Sequence, residues 1–164
     1  LPDRYSVDQI EQGLGMTGCR GWQYWTIGCA MTHKSTSIED AEACIRAMYS
    51  LFEKLFSKAG FGDIGFMWWD IGYGACKFRY TDSESIKYVW TEEEKQRFSQ
   101  ASFDTMVRVL KMPSMSSQKA AIHGLGHWYH PDNVRVLQEY LDKNPDLPAW
   151  LKEYAEDAKI GRMT

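Results

Sequence analysis

The chain has 164 residues, of which 44% are hydrophobic and 25% charged, with a formal net charge of −3. That length suits one domain with a sizeable core, and the balance is that of a globular rather than a disordered chain. The small negative charge gives no overall pull toward nucleic acid or an anionic membrane surface, and no apolar run approaches the roughly 18 residues of a membrane-spanning helix.

Residues 8–32 hold five glycines in a helix-leaning context, which suggests a short helix, a loop and a second helix. Ser37, followed by Glu39 and Asp40, opens a helix whose apolar stripe runs through Ile38, Ala41, Ile45, Met48, Phe52 and Leu55 and stops before Gly60. Residues 63–80 are apolar nearly all round, as in a buried helix, with a strand pair over 66–80 as the competing reading. Residues 81–90 read as an exposed connector. Thr91 and Glu94 form a capping box at the head of a helix carrying Phe98, Ala101, Met106, Val109 and Leu110 until Pro113.

From Ser117 to Leu141 two amphipathic helices flank a His130-Pro131-Asp132 turn. Ala121, Ile122, Leu125 and Trp128 make one apolar face, and Val134, Leu137, Tyr140 and Leu141 make the other. Gly126 admits a close neighbour, and Pro131 ends one helix while permitting the next. A last helix starts at Asp146-Leu147-Pro148 with Trp150, Leu151, Tyr154 and Ala155 inward.

The pattern from Ala120 to Leu137, A-A-x-x-x-L-G-x-W-x-x-P-x-x-V-x-x-L, resembles the HEAT-like repeats of bacterial and phycobilin-lyase-type proteins. It covers residues 118–141, and His130 stands where such repeats usually carry Asp. The resemblance implies an all-α fold of stacked antiparallel helix hairpins, an α-solenoid fragment. On this reading residues 1–164 form a single helical domain with an irregular part at 1–36, a helix pair at 37–80 and a HEAT-like part at 91–164. It implies little about function, because such repeats serve scaffolds, lyases, hydroxylases and nucleic-acid enzymes alike. Hydroxylases of this kind carry His-Glu pairs before the Ala-Ala of each repeat, where this chain has Gln118 and Lys119.

Chemistry has few candidate positions. His123 and His127 are four residues apart and share a helix face, a standard way of presenting two imidazoles to one metal ion. His130 and Asp132 follow one turn later as further candidate ligands. The string H-G-L-G-H lacks the glutamate of H-E-x-x-H, so a polar ridge is the plainer reading. Trp68, Trp69 and Asp70, with Tyr73 one turn on, suggest either an acid held by an Arg, Lys or Trp N–H, or an aromatic-lined pocket. Trp22 and Trp25 are core or a partner anchor. Gly13, Gly15 and Gly18 match G-x-G-x-x-G without the preceding strand a dinucleotide site needs, and read as a bend. Cys19, Cys29, Cys44 and Cys76 form no C-x-x-C pair and read as reduced thiols.

There is no P-loop and no Ser-centred elbow, and no cofactor is expected. The N-terminus lacks a signal-peptide layout, the start at Leu1 suggests a processed chain or a fragment, and the chain reads as cytoplasmic. The leading expectation is a non-enzymatic helical-repeat scaffold that holds a protein partner, with no membrane association; the acidic-surface logic of immunity proteins is one form of it. Alternatives are a small metal-dependent enzyme on His123 and His127, and a nucleic-acid-binding HEAT-like protein using Arg97, Arg108, Lys111 and Lys119. The net negative charge speaks against the last.

Overall fold

Residues 4–18, 27–58, 65–66, 68–70, 90–128 and 130–163 are described in the structure, a computed structural model. These residues are predominantly helical and contain no strand. The all-α expectation holds at that level. No helix among them is long and apolar enough to cross a membrane.

Helix α1 (Val7–Gly18) opens on a reciprocal cap. The Gln9 N–H donates to Ser6 Oγ at 3.2 Å, and the Ser6 N–H donates to Gln9 Oε1 at 2.9 Å. Gly13, Gly15 and Gly18 therefore lie inside a helix rather than in a bend. The G-x-G-x-x-G string sits at neither the strand end nor the helix head that phosphate binding requires. Helix α2 (Ile27–Thr32) follows.

Helix α3 (Ile38–Leu51) starts on the Asp40 N–H donating to Ser37 Oγ at 3.1 Å, and continues as a π-helical turn over Phe52–Phe56. Every residue of the expected stripe, from Ile38 to Leu55, is buried. Helix α4 (Glu92–Leu110) carries the capping box in full, with the Glu94 N–H on Thr91 Oγ1 and the Thr91 N–H on Glu94 Oε2. Just before it, Trp90 is buried and stacks near Phe98 at 6.2 Å. The end of the supposed connector is thus core, because an indole this large stabilises best out of water.

Helix α5 (Met115–Trp128) is buried at every position from Ala120 to Gly126. It packs on α4 and on α7 (Ala149–Lys159), and touches the π-helical turn as well. An added Cβ at Gly126 would meet Met163 and lie 3.2 Å from the Ala158 Cα, so the expected close approach is that of α7. The chain breaks after Trp128 and resumes at α6 (Asn133–Lys143), as Pro131 dictates.

Two inward assignments need correction. Asn133 Nδ2 donates to the Leu125 carbonyl, one of those left unpaired at the end of α5. Burying Asn133 turns α6 so that Asn133, Leu137 and Tyr140 face inward, and Val134 is 51% exposed. On α7 the buried positions are Leu151, Ala155 and Ala158, spaced four and three apart, which leaves Trp150 48% exposed. Leu125 and Leu137 are fully buried, as expected.

Helices α3 and α4 are joined by charge as well as by apolar contact. Arg97 on α4 donates to both oxygens of Glu42 on α3 at 3.0 and 3.2 Å, and also reaches Glu39 at 2.8 Å. The Arg97 bonds come first, and those from Arg46 assist, in holding the Glu42 carboxyl below the usual range despite burial. A depressed carboxyl stabilises the fold above the unfolded-state pKa, about 4.3, and that contribution disappears as pH falls through the folded-state value. Glu42→Gln is therefore expected to lower stability at pH 7 by about 1 kcal/mol, since Arg97 is partly open to solvent. The gap between variant and wild type should close as urea titrations move below pH 4. A gap that persists at pH 3 would show that packing, not charge, is what the substitution removes.

Candidate metal centre

The candidate ligands come from two places in the chain. His123 and His127 stand on the ridge of α5 that begins with Lys119, each four residues from the last. Asp70 comes from the short 68–70 segment. Its delivery depends on Gly124, where an added Cβ would sit 2.7 Å from Trp69 Cγ, 2.9 Å from Trp69 Cβ and 2.5 Å from Met106 Sδ. Only a residue without a side chain lets Trp69 lie directly on the α5 backbone. Trp69 is itself fixed by stacking on Phe52, 5.3 Å away and nearly parallel.

With Trp69 so placed, the next residue faces both imidazoles. Asp70 Oδ1 lies 3.4 Å from His123 Nε2 and 3.9 Å from His127 Nε2, and one ligand atom from each of the three falls within 4.8 Å of the others. His123 is 5% exposed, whereas the side chains of His127 and Asp70 are about one-third open. The two imidazoles pack edge-on at 4.5 Å.

The two ring nitrogens of His123 differ. Nδ1 is 2.6 Å from the Tyr154 hydroxyl of α7, whereas Nε2, aimed at Asp70, is buried without a hydrogen-bond partner. A buried polar nitrogen left in that state is costly. Burial first, and then the negative charge of Asp70, push the Tyr154 phenol well above its ordinary range, so Tyr154 stays a neutral hydroxyl. Phe66 closes one side of the group, with its ring centre 4.2 Å from that of His123 and 6.2 Å from that of Tyr154.

These distances suit a small divalent ion. Metal–nitrogen and metal–oxygen bonds of about 2.0–2.1 Å in tetrahedral geometry put neighbouring ligand atoms about 3.3 Å apart. The Asp70–His123 pair already has that spacing, the Asp70–His127 distance is about half an ångström longer, and the group, which spans up to 4.8 Å, would close by an inward turn of His127. Two imidazoles and one carboxylate leave coordination positions for water or substrate. An ion on Nε2 would leave the proton on Nδ1, from which it would be donated to the Tyr154 oxygen, so the tyrosine would orient the ligand.

The other expected site residues divide as follows. His130 is not part of the group: it stacks on Phe103 at 3.8 Å and contacts Gln100 at 3.3 Å. Asp132 pairs with Arg135 at 3.2 Å. Both lie beyond the end of α5 at Trp128, which turns them off the α5 ridge. Trp68 and Trp69 are buried core residues, and Trp68 packs 5.2 Å from Phe56. Trp22, Trp25 and Tyr73 lie outside the described residues, as do Cys19 and Cys76. Cys44 is a half-buried free thiol, its pKa raised by burial. In the suggested basic patch, Arg97 is tied to Glu39 and Glu42, and Arg108 lies over Tyr49 at 4.0 Å.

Sequence reasoning placed Asp70 and the histidines in different candidate sites and did not single out Phe66 or Tyr154 as site residues. The only available signal for joining them was the pair of glycines within H-G-L-G-H, which marks a backbone that two neighbours can approach. Comparison with protein-family models, with curated proteins and with solved structures finds no match for this chain.

Gly124→Ala tests the delivery of Asp70. The gain in helix propensity is about 1 kcal/mol, and the overpacking against Trp69 costs about 1–3 kcal/mol. A net loss of about 1 kcal/mol in urea denaturation is expected, with divalent-metal uptake weakened at least about tenfold as Asp70 is displaced. Gly13, where an added Cβ meets nothing within 4 Å, is the control: Gly13→Ala should gain up to about 1 kcal/mol. A Gly124→Ala variant as stable as Gly13→Ala, with wild-type metal uptake, would contradict the account.

Proposed function

We propose that this chain is a metal-dependent protein in which Asp70, His123 and His127 hold one divalent transition ion, with open coordination positions that suit hydrolytic Lewis-acid chemistry. The observation that carries the reading is the buried His123 Nε2, without a hydrogen bond and 3.4 Å from Asp70 Oδ1, with Tyr154 behind it on Nδ1. A bound ion would supply the missing partner and turn a costly arrangement into a stabilising one. In such a centre the ion lowers the pKa of its bound water toward neutrality and polarises an oxygen of the substrate. The contributions of the chain are distinct: the three ligands fix the ion, Tyr154 sets the His123 tautomer, and Phe66 shields one side from water.

The scaffold reading stands second. The exposed Trp150 and Val134 support it, since exposed aromatic anchors suit protein interfaces. The HEAT-like character of residues 118–141 is compatible with either reading.

The test is the metal content of the chain purified without a histidine tag or added metal. About one transition ion per chain is expected, most readily zinc or iron(II) for a site with two histidines and one carboxylate. Asp70→Asn and the double variant His123→Ala with His127→Ala should each lose it. Wild-type chain that neither carries such an ion nor binds zinc at micromolar concentration would overturn the proposal, as would unchanged binding in Asp70→Asn.

A further inference from the structure

Lys119 opens the ridge that carries the two histidines, one turn before His123 and two before His127. Its ammonium lies 4.2 Å from the centre of the Phe66 ring, and that ring lies 4.2 Å from the His123 ring. The lysine charge and the imidazole therefore both lie against the same phenyl ring. The side chain is half-buried, and among the described residues no carboxylate lies within ion-pairing distance of it.

That combination is unusual for a half-buried lysine. The other half-buried cations among the described residues have oxygen partners: Lys95 has Glu92 at 2.6 Å, Lys159 has Glu156 at 2.7 Å, Arg97 has Glu39 and Glu42, and Lys152 donates to the Pro145 carbonyl at 2.5 Å. Lys119 instead rests its ammonium on an aromatic face, a contact that leaves hydrogen-bond donors of the ammonium without an oxygen acceptor. The nearest acid of the candidate centre, Asp70, is turned to the histidines.

Resting on the metal reading above, we propose that Lys119 is the anion-binding group of this centre and that its ligand is a phosphate monoester. The charges favour a dianion. A divalent ion, the Asp70 carboxylate and the Lys119 ammonium sum to about +2, and a phosphate monoester carries about −1.5 to −2 at pH 7. One phosphoryl oxygen would occupy an open position on the ion while another accepts from the lysine, a point-charge contact of the kind lysine commonly makes to phosphate. A monocarboxylate satisfies only one of the two and is the weaker ligand.

The experiment uses the full chain loaded with cobalt(II), whose visible absorption reports changes in the coordination shell, and titrates it with inorganic phosphate and, separately, acetate. Wild type is expected to bind phosphate with a change in the cobalt spectrum and more tightly than acetate. Lys119→Met, which preserves the stem, should weaken phosphate binding at least about tenfold while leaving cobalt affinity unchanged. Lys119→Arg should restore most of the loss. Equal phosphate affinity in wild type and Lys119→Met overturns the proposal, and so does a cobalt-loaded wild type whose spectrum phosphate does not alter. Cobalt uptake itself is measured first, so a failure of the metal centre is seen separately from a failure of the anion site.

Discussion

The contact of Trp69 with the bare backbone of α5 at Gly124 is the constraint on which the rest of the site depends. Asp70 follows Trp69 directly, so the depth to which the indole sinks sets where the carboxylate stands. Phe52 stacks on the indole, and Met106 Sδ crowds the same glycine. Close-packed interiors do not deform continuously. A methyl group at position 124 therefore acts on Asp70 through the indole and not by touching the acid. The π-helical turn that carries Phe52 belongs to the same device, because it presents Phe52, Leu55 and Phe56 together to the core.

The histidine side of the centre is fixed by the position of α5 between two neighbours. Small residues set the spacing on both faces: Gly124 toward Trp69, and Gly126 toward Ala158 of α7 and Met163 beyond its end. That approach of α7 brings the Tyr154 hydroxyl to His123 Nδ1 and leaves Nε2 pointing at Asp70. The Glu42–Arg97 pair does comparable work between α3 and α4. Ligand geometry thus follows from helix packing, with glycine and alanine determining how close the functional groups come.

Much of the helical framework was legible in the sequence. Capping at Ser37 and Thr91, the stripe from Ile38 to Leu55, and the break at Pro131 all appear where local chemistry puts them, because each depends on residues within a few positions. Facing directions were less legible. Val134 and Trp150 point outward because a buried Asn133 turns α6 and because Leu151, Ala155 and Ala158 set the inner face of α7. Trp90 is core although the polar residues before it suggested a connector. His123 and His127 were visible as a pair, but their third partner lies more than fifty residues away. Only tertiary packing joins them, so helical periodicity carried no signal for Asp70 and led instead to His130 and Asp132, which are nearer in sequence and turned elsewhere.

The central claim is that these three side chains converge on one ion. X-ray absorption at the zinc edge of the zinc-loaded protein tests it most directly. The account predicts a shell of two imidazole nitrogens and carboxylate oxygen at about 2.0–2.2 Å, with water completing it. A shell of oxygen ligands alone, without the outer scattering of imidazole rings, would contradict it.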